Sequence, residues 1–286
     1  RGFQFDGARS GLIRDAGAGV LAEWDGGGWA RRQIQPGPVE TTGAGVAYDS
    51  ARQRLVVFGG WDSYQRYFGE TWEWNGIAWS LRATSGPQPR EGHRMVFDST
   101  RQRVLMLGGS RGQDDTWEWD GTQWSQVASG GPAPRSEFAM AFDSARARVV
   151  LFGGYQFGLR LNDTWEWDGT TWSQRASTYT PLPRYAHSMA YDPTQQRVVL
   201  FGGSGLLNAR LGDTWEWDGS SWVHRSTSLA PAPRAGHGMA YDPSRQRVVM
   251  LGGDPDYSDM WEWDGSGWSL AFQLPEPRWG HAMVHD

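Results

Sequence analysis

The chain has 286 residues, a formal net charge of −5 and no cysteine. The missing cysteines exclude a disulfide framework, a thiolate metal site and a cysteine nucleophile, and the acidic balance leaves no electrostatic footprint for nucleic acid. No apolar run reaches the roughly 18–20 residues that a membrane-spanning helix needs.

From the N-terminus, Arg1–Gly7 reads as a strand, and Ala8 to Leu21 as a loop of 14 residues. Glu23-Trp-Asp-Gly26 with Trp29 then reads as a hairpin, because Asp-Gly supplies the positive φ that a tight turn requires. The same phrase returns at Glu73–Gly76, Glu118–Gly121, Glu166–Gly169, Glu216–Gly219 and Glu262–Gly265, with trailing tryptophans at Trp79, Trp124, Trp172, Trp222 and Trp268. From Trp24 through Trp74, Trp119, Trp167, Trp217 and Trp263 the steps are 50, 45, 48, 50 and 46 residues. A repeat of this length cannot bury its apolar surface alone, so the copies must pack on one another. Each complete copy carries short apolar, β-branched runs such as Val198–Phe201, the pattern of a strand buried on both faces. A double glycine ends each run, at Gly59–Gly60, Gly108–Gly109, Gly153–Gly154, Gly202–Gly203 and Gly252–Gly253. Pro-x-Pro-Arg carries the chain onward, since proline cannot sit in a central strand. Each unit is therefore a four-stranded antiparallel meander.

The double glycine after a hydrophobic strand, followed by two spaced aromatics, resembles the kelch repeat over essentially the whole chain. That resemblance implies an all-β, six-bladed propeller. The ends suggest how it closes. His281–Asp286 matches the first strand of a unit, and Arg1–Gly7 aligns with the second strand, Arg54–Gly60. The expectation is one domain over residues 1–286, whose sixth blade joins residues 280–286 to residues 1–35. Such closure removes exposed sheet edges.

What every blade shares is expected to be scaffold. Of the 19 tryptophans, 17 hold repeat positions, and these read as packing between blades. The repeated Glu23, Glu73, Glu118, Glu166, Glu216 and Glu262 would be buried and need cationic partners. The recurring arginines are Arg90, Arg135, Arg184, Arg234 and Arg278 before the first strand, and Arg1, Arg54, Arg103, Arg148, Arg197 and Arg247 on the second. His93, His187, His237 and His281 share one position, which is Phe138 in blade 3 and Ala44 in blade 1. Interchange with phenylalanine favours packing over a metal ring. All 27 basic residues are arginine, the usage expected of a GC-rich bacterial genome.

Function is expected where the copies differ. Blade 1 inserts Trp61-Asp-Ser-Tyr-Gln-Arg-Tyr-Phe68 after its double glycine and has Thr41 and Ala44 where Arg and His are the rule. The two off-pattern tryptophans, Trp61 and Trp279, belong to blades 1 and 6. The candidate ligand-binding set is Trp61, Tyr64, Tyr67 and Trp279 at that seam, with Arg14, Tyr155, Arg210 and Tyr257 on other loops. Exposed aromatics with a few charges suit a protein or glycan ligand. The leading expectation is a non-catalytic binding or scaffold module, with no catalytic residue, cofactor or metal.

Two alternatives remain: an engineered or recently amplified propeller, or an enzyme. Kelch-like enzymes include sialic-acid mutarotases, copper oxidases and iron-dependent specifier proteins. The copper oxidase's Tyr–Cys cross-link cannot form without cysteine, and the specifier string Glu-x3-Asp-x3-His does not occur. A mutarotase-like site using Arg135, Glu91 and Glu137 stays open.

Overall fold

A computed structural model describes residues 37–273 and Met283, together with the backbone of four strands nearer the N-terminus. Those strands, β1 (Phe3–Asp6), β2 (Gly11–Asp15), β3 (Val20–Trp24) and β4 (Trp29–Gln33), form one sheet in sequential order. Five blades follow, each a four-stranded antiparallel meander. Blade 1 holds β5 (Gly45–Asp49), β6 (Arg54–Phe58), β7 (Thr71–Trp74) and β8 (Trp79–Ala83). Blade 2 holds β9 (Arg94–Asp98), β10 (Arg103–Leu107), β11 (Asp115–Trp119) and β12 (Trp124–Ser129). Blade 3 holds β13 (Ala139–Asp143), β14 (Arg148–Gln156), β15 (Leu159–Trp167) and β16 (Trp172–Arg175). Blade 4 holds β17 (Ser188–Asp192), β18 (Arg197–Ser204), β19 (Arg210–Trp217) and β20 (Trp222–Arg225). Blade 5 holds β21 (Gly238–Asp242), β22 (Arg247–Leu251), β23 (Asp259–Trp263) and β24 (Trp268–Gln273). The fold class is a β-propeller of small antiparallel sheets.

The expected six blades are corrected to five. The sixth copy of the phrase, around Trp24, falls in the N-terminal sheet and not in one of these five blades. Among the described residues its sheet takes all four strands from the N-terminal segment, because β2 intervenes: Phe3 pairs with Arg14, and Leu12 pairs with Trp24. The apolar pair Leu12-Ile13 lies in what the sequence suggested was a plain loop. The strand expected at His281–Asp286 lies outside the described residues, apart from Met283, which is buried.

Within each blade the local chemistry is the same. The aspartate ending the first strand caps the turn that follows. Asp192 Oδ1 accepts the N–H groups of Thr194 and Gln195 at 2.8 and 3.1 Å, and Asp98 does the same for Thr100 and Arg101. The hairpin of the repeated phrase is closed in the same manner, with Asp218 Oδ1 accepting from the N–H groups of Ser220 and Ser221. The second strand is buried along its length, as in Val198, Val199, Leu200 and Phe201, each with no exposed surface. That is why those positions are β-branched or large and apolar.

The chain divides into two compact units, residues 1–130 with 282–286, and residues 131–281. In the first, Val56 and Phe58 of blade 1 pack with Met95, Val104, Met106, Trp119 and Trp124 of blade 2. In the second, blade 3 packs on blade 4 and blade 4 on blade 5 by the same residue types.

Hydrogen bonds lock these interfaces. Trp119 Nε1–H donates to Glu73 Oε1 at 2.9 Å, Trp217 to Glu166 at 3.0 Å and Trp263 to Glu216 at 3.2 Å. Trp124, Trp222 and Trp268 donate to the hydroxyls of Thr71, Thr164 and Thr214. Each indole thus ties its blade to the third strand of the preceding one. The tryptophans are packing residues, as their place in every repeat suggests.

The partners of the buried glutamates differ from expectation. Glu166 pairs with Arg146 at 2.6 Å and Arg175 at 2.9 Å, Glu73 with Arg52 and Arg82, and Glu216 with Arg225. These arginines come from the first turn and the outermost strand. Those on the second strand instead donate to turn carbonyls, as Arg197 does to Gln196 O and Arg247 to Gln246 O. Arg90, Arg135, Arg184 and Arg234 are wholly or almost wholly buried, and each makes a two-pronged ion pair with the third-strand aspartate two residues before the first repeat tryptophan: Asp115, Asp163, Asp213 and Asp259. The geometric match of a guanidinium to a carboxylate explains this choice.

Candidate functional site

Two loop clusters stand out from this shared frame, one in each unit. In the second unit, β14 and β15 continue past the double glycine with a bulge between Phe152 and Gly154, and β18 and β19 do likewise. Two hairpins therefore project beyond their blades. Their tips carry Phe157, Leu159, Leu206 and Leu207, with Phe157 78% and Leu207 97% exposed. Phe157, Leu207 and Asn208 hold positive φ angles of 42°, 53° and 59°, a region that non-glycine residues seldom adopt.

Polar side chains fasten the hairpins to each other. Arg160 donates to Asn208 Oδ1 at 2.6 Å, the Tyr185 hydroxyl donates to the same oxygen at 3.1 Å, and the Arg160 guanidinium lies 5.5 Å from the Tyr185 ring centre. Tyr155 packs on Tyr185 at 5.4 Å between ring centres. Arg210 reaches blade 5, pairing with both oxygens of Asp254 at 2.5 and 2.6 Å, and also holds Ser204 Oγ and Asn208 O. The hydrogen bonds to Asp254 keep the Arg210 pKa above its ordinary value, so its charge is fixed. Tyr257 has its ring centre 4.0 Å from the Arg234 guanidinium carbon. Of the expected residues, Tyr155 and Arg210 are brought into one cluster, whereas Tyr257 covers a structural ion pair. Arg160 also stands out in the sequence as an unmatched loop residue of blade 3, whereas Tyr185 and Asn208 were missed as members; the unequal lengths of the loops in blades 3 and 4 were the available signal.

In the first unit, the blade 1 insertion folds back on itself. Trp61 bridges to Thr42 and to Tyr67, and its ring stacks on Tyr67 at 6.5 Å and 22°. Arg111 covers Tyr67 at 4.7 Å. Asp62 accepts from the N–H groups of Tyr64 and Arg66 and pairs with the Arg66 side chain. Trp61 and Tyr67 are thus half-buried parts of a closed loop, while Tyr64 projects into solvent. Trp279 lies outside the described residues, and Arg14 is described only as a backbone position in β2.

The shared histidines are packing residues. His93, His187 and His237 are buried edge-on against Phe58, Phe152 and Phe201, at 5.5–5.6 Å between ring centres. His93 Nε2 accepts the Gly45 N–H at 3.1 Å. Burial, with Arg90 and Arg94 nearby, pushes the His93 pKa down to about 3, so the ring is neutral. His281 lies outside the described residues. Among the described residues no group of three His, Asp or Glu is placed to hold a metal, and no helix is long and apolar enough to cross a membrane. The guanidinium of Arg135 donates to Asp163, to Gly153 O and to Ala133 O.

No protein-family model matches this chain, and no curated protein matches it either.

Proposed function

We propose that this chain is a kelch-type propeller that acts as a binding module, taking a protein ligand on the two projecting hairpins of blades 3 and 4. The observation that carries this reading is the pairing of exposed apolar tips with a fastened polar base. Phe157, Leu159, Leu206 and Leu207 offer apolar area to solvent, while Arg160, Tyr185, Asn208, Arg210 and Asp254 hold the hairpins in one arrangement. A surface ordered before binding loses less conformational entropy when a partner docks. Aromatic and arginine side chains around apolar anchors are the composition of protein interfaces. A glycan site would instead be expected to offer an open ring face beside free polar groups, and here Tyr155 and Tyr185 pack on each other.

A random-peptide library displayed on phage, selected on the intact protein, tests the reading. Selected peptides should bind at least roughly tenfold more weakly to a variant carrying Phe157→Ser, Leu206→Ser and Leu207→Ser. Peptides that bind both proteins equally, or a failure to select any, would overturn the reading. Binding on a glycan array that depends on Tyr155 would replace protein with carbohydrate.

A further inference from the structure

Arg90, Arg135, Arg184 and Arg234 each fill a slot built from three acceptors. These are the carbonyl two residues earlier (Gln88, Ala133, Leu182, Ala232), the first carbonyl of the double glycine (Gly108, Gly153, Gly202, Gly252) and the third-strand carboxylate two residues before the first repeat tryptophan. Blade 1 repeats the slot without the arginine. Its register is fixed by the bridge of Thr42 to Trp61, which corresponds to Ser136 with Tyr155, Tyr185 with Ser204, and Ala235 with Asp254. Thr41 therefore stands where arginine is the rule. The three acceptors become the carbonyls of Val39 and Gly59 and the carboxylate of Glu70.

The geometry around that position matches its counterparts. Trp72 Nε1–H holds Glu70 at 2.9 Å, as Trp117 Nε1–H holds Asp115. Phe68 occupies the place of Tyr257, the ring that lies against Arg234. Thr41 packs its Cβ against Gly60 and goes no further. What remains is a small cleft, with room for about one water, open to solvent and lined by Val39, Thr41, Gly59, Phe68, Glu70 and Trp72 among others.

We propose that this cleft binds a guanidinium group supplied from outside, the side chain of an arginine on a partner polypeptide. A carboxylate grouped with backbone carbonyls suits a planar fork better than the compact ammonium of lysine, and an aromatic wall adds attraction for a delocalised cation. Glu70 is one methylene longer than the aspartates of the filled slots, so it reaches toward a group entering from solvent. The net charge of −5 favours a cationic partner. The proposal uses none of the residues of the projecting hairpins, so it stands or falls separately from the function proposed above.

The test is calorimetric titration of the intact protein with Nα-acetylarginine methylamide, with the lysine analogue as control. Saturable binding of the arginine compound is expected, roughly tenfold or more tighter than that of the lysine compound. Thr41→Arg should abolish it, because the new side chain fills the slot, and should raise the thermal midpoint. Glu70→Gln should weaken binding by roughly tenfold or more. The proposal is overturned by no saturable binding, by equal affinity for the two compounds, or by unchanged binding in Thr41→Arg. Should Thr41→Arg fail to fold, unchanged binding in Glu70→Gln overturns it equally.

Discussion

Blades 1 and 4 share a four-strand meander, a double glycine and a buried glutamate, and they differ at one cation. Blade 4 has Arg184 with no exposed surface, bonded to Asp213, Gly202 O and Leu182 O. Blade 1 has Thr41 and Glu70 at the matching positions. The blade fold therefore does not depend on the cation, although a blade that contains it has been built around it. Positions that every blade keeps are scaffold, and the position one blade has given up is where a ligand can enter.

The shared part should show the largest effect. Glu166 is 2% exposed and accepts from Arg146, Arg175 and Trp217. Glu166→Ala strands these donors, and its cost is expected to be on the order of 3–5 kcal/mol, as for removing one partner of a buried pair. Urea unfolding measures it. A loss below about half a kcal/mol, the scale of an exposed pair, would show that the glutamate ring is not part of the frame.

The differing position comes next. Arg184→Thr gives blade 4 the residue of blade 1 and leaves Asp213 facing two carbonyls. A loss of about 3 kcal/mol is expected, at the lower end for a broken buried pair, because the Asp213 side chain keeps 24% of its surface exposed and can be rehydrated. Adding Asp213→Glu copies the complete blade 1 arrangement and should recover part of that loss. If the double variant is no better than the single one, the difference between the blades lies outside this slot.

How far the sequence reached can be read from the same residues. The strands, the hairpins and the role of the tryptophans followed from apolar runs, Asp-Gly turns and a repeat that no single copy could bury. Partner choice did not follow, since each unit offers two acids and several arginines and only the fold decides which meet. The double glycine was legible as a turn but not as a contact. Gly60 and Gly203 donate backbone hydrogen bonds to Arg90 O and Arg234 O of the next blade, and a Cβ at Gly59 would lie 2.6 Å from Arg90 O. The blade count failed because copies of a phrase were counted as blades, whereas the copy around Trp24 lies in an N-terminal sheet outside the five, where β2 is a strand that the sequence suggested was loop. The loop cluster of blades 3 and 4 was half legible. Tyr155 and Arg210 stood out as unmatched residues, but Tyr185 and Asn208 join them only through the bulged hairpins.

A smaller effect concerns His93, which joins blade 2 to blade 1 through the Gly45 N–H. Its folded pKa of about 3 lies below the ordinary 6.5. Below pH 6.5 the unfolded chain takes up a proton that the folded chain refuses, so stability falls with pH until about 3. The slope is about 1.4 kcal/mol per pH unit, or about 2 kcal/mol between pH 6.5 and 5. His93→Phe copies Phe138 of blade 3. It should cost about 1 kcal/mol at pH 7 through the unsatisfied Gly45 N–H and flatten the slope, so that the two stability curves approach each other as the solution is acidified. Parallel curves would mean that His93 is protonated in the folded chain.

The smallest effect compares the hairpins of the two blades directly. In blade 4 the turn is closed by Asp218, and in blade 1 by Asn75, whose Oδ1 accepts from the N–H groups of Ile77 and Ala78 at 2.9 and 2.8 Å. Desolvation pushes the Asp218 carboxyl up, but the Ser220 hydroxyl and the N–H groups of Ser221 and Ser220 outweigh it and bring the pKa down to about 2. A depressed carboxyl contributes stability above its unfolded pKa of 3.8, and that contribution is lost as pH falls through about 2. Asp218 is half-buried at the surface, so its charge is partly screened by solvent. Asp218→Asn keeps the accepting oxygen and removes the charge. It should leave the urea midpoint at pH 7 within error of the parent, while Asp218→Ala, which removes the acceptor, should lower stability by about 1 kcal/mol. The asparagine variant should also lose less stability than the parent between pH 4 and 2. Equal losses at pH 7 for asparagine and alanine would show that the charge, rather than the acceptor geometry common to both blades, closes the turn.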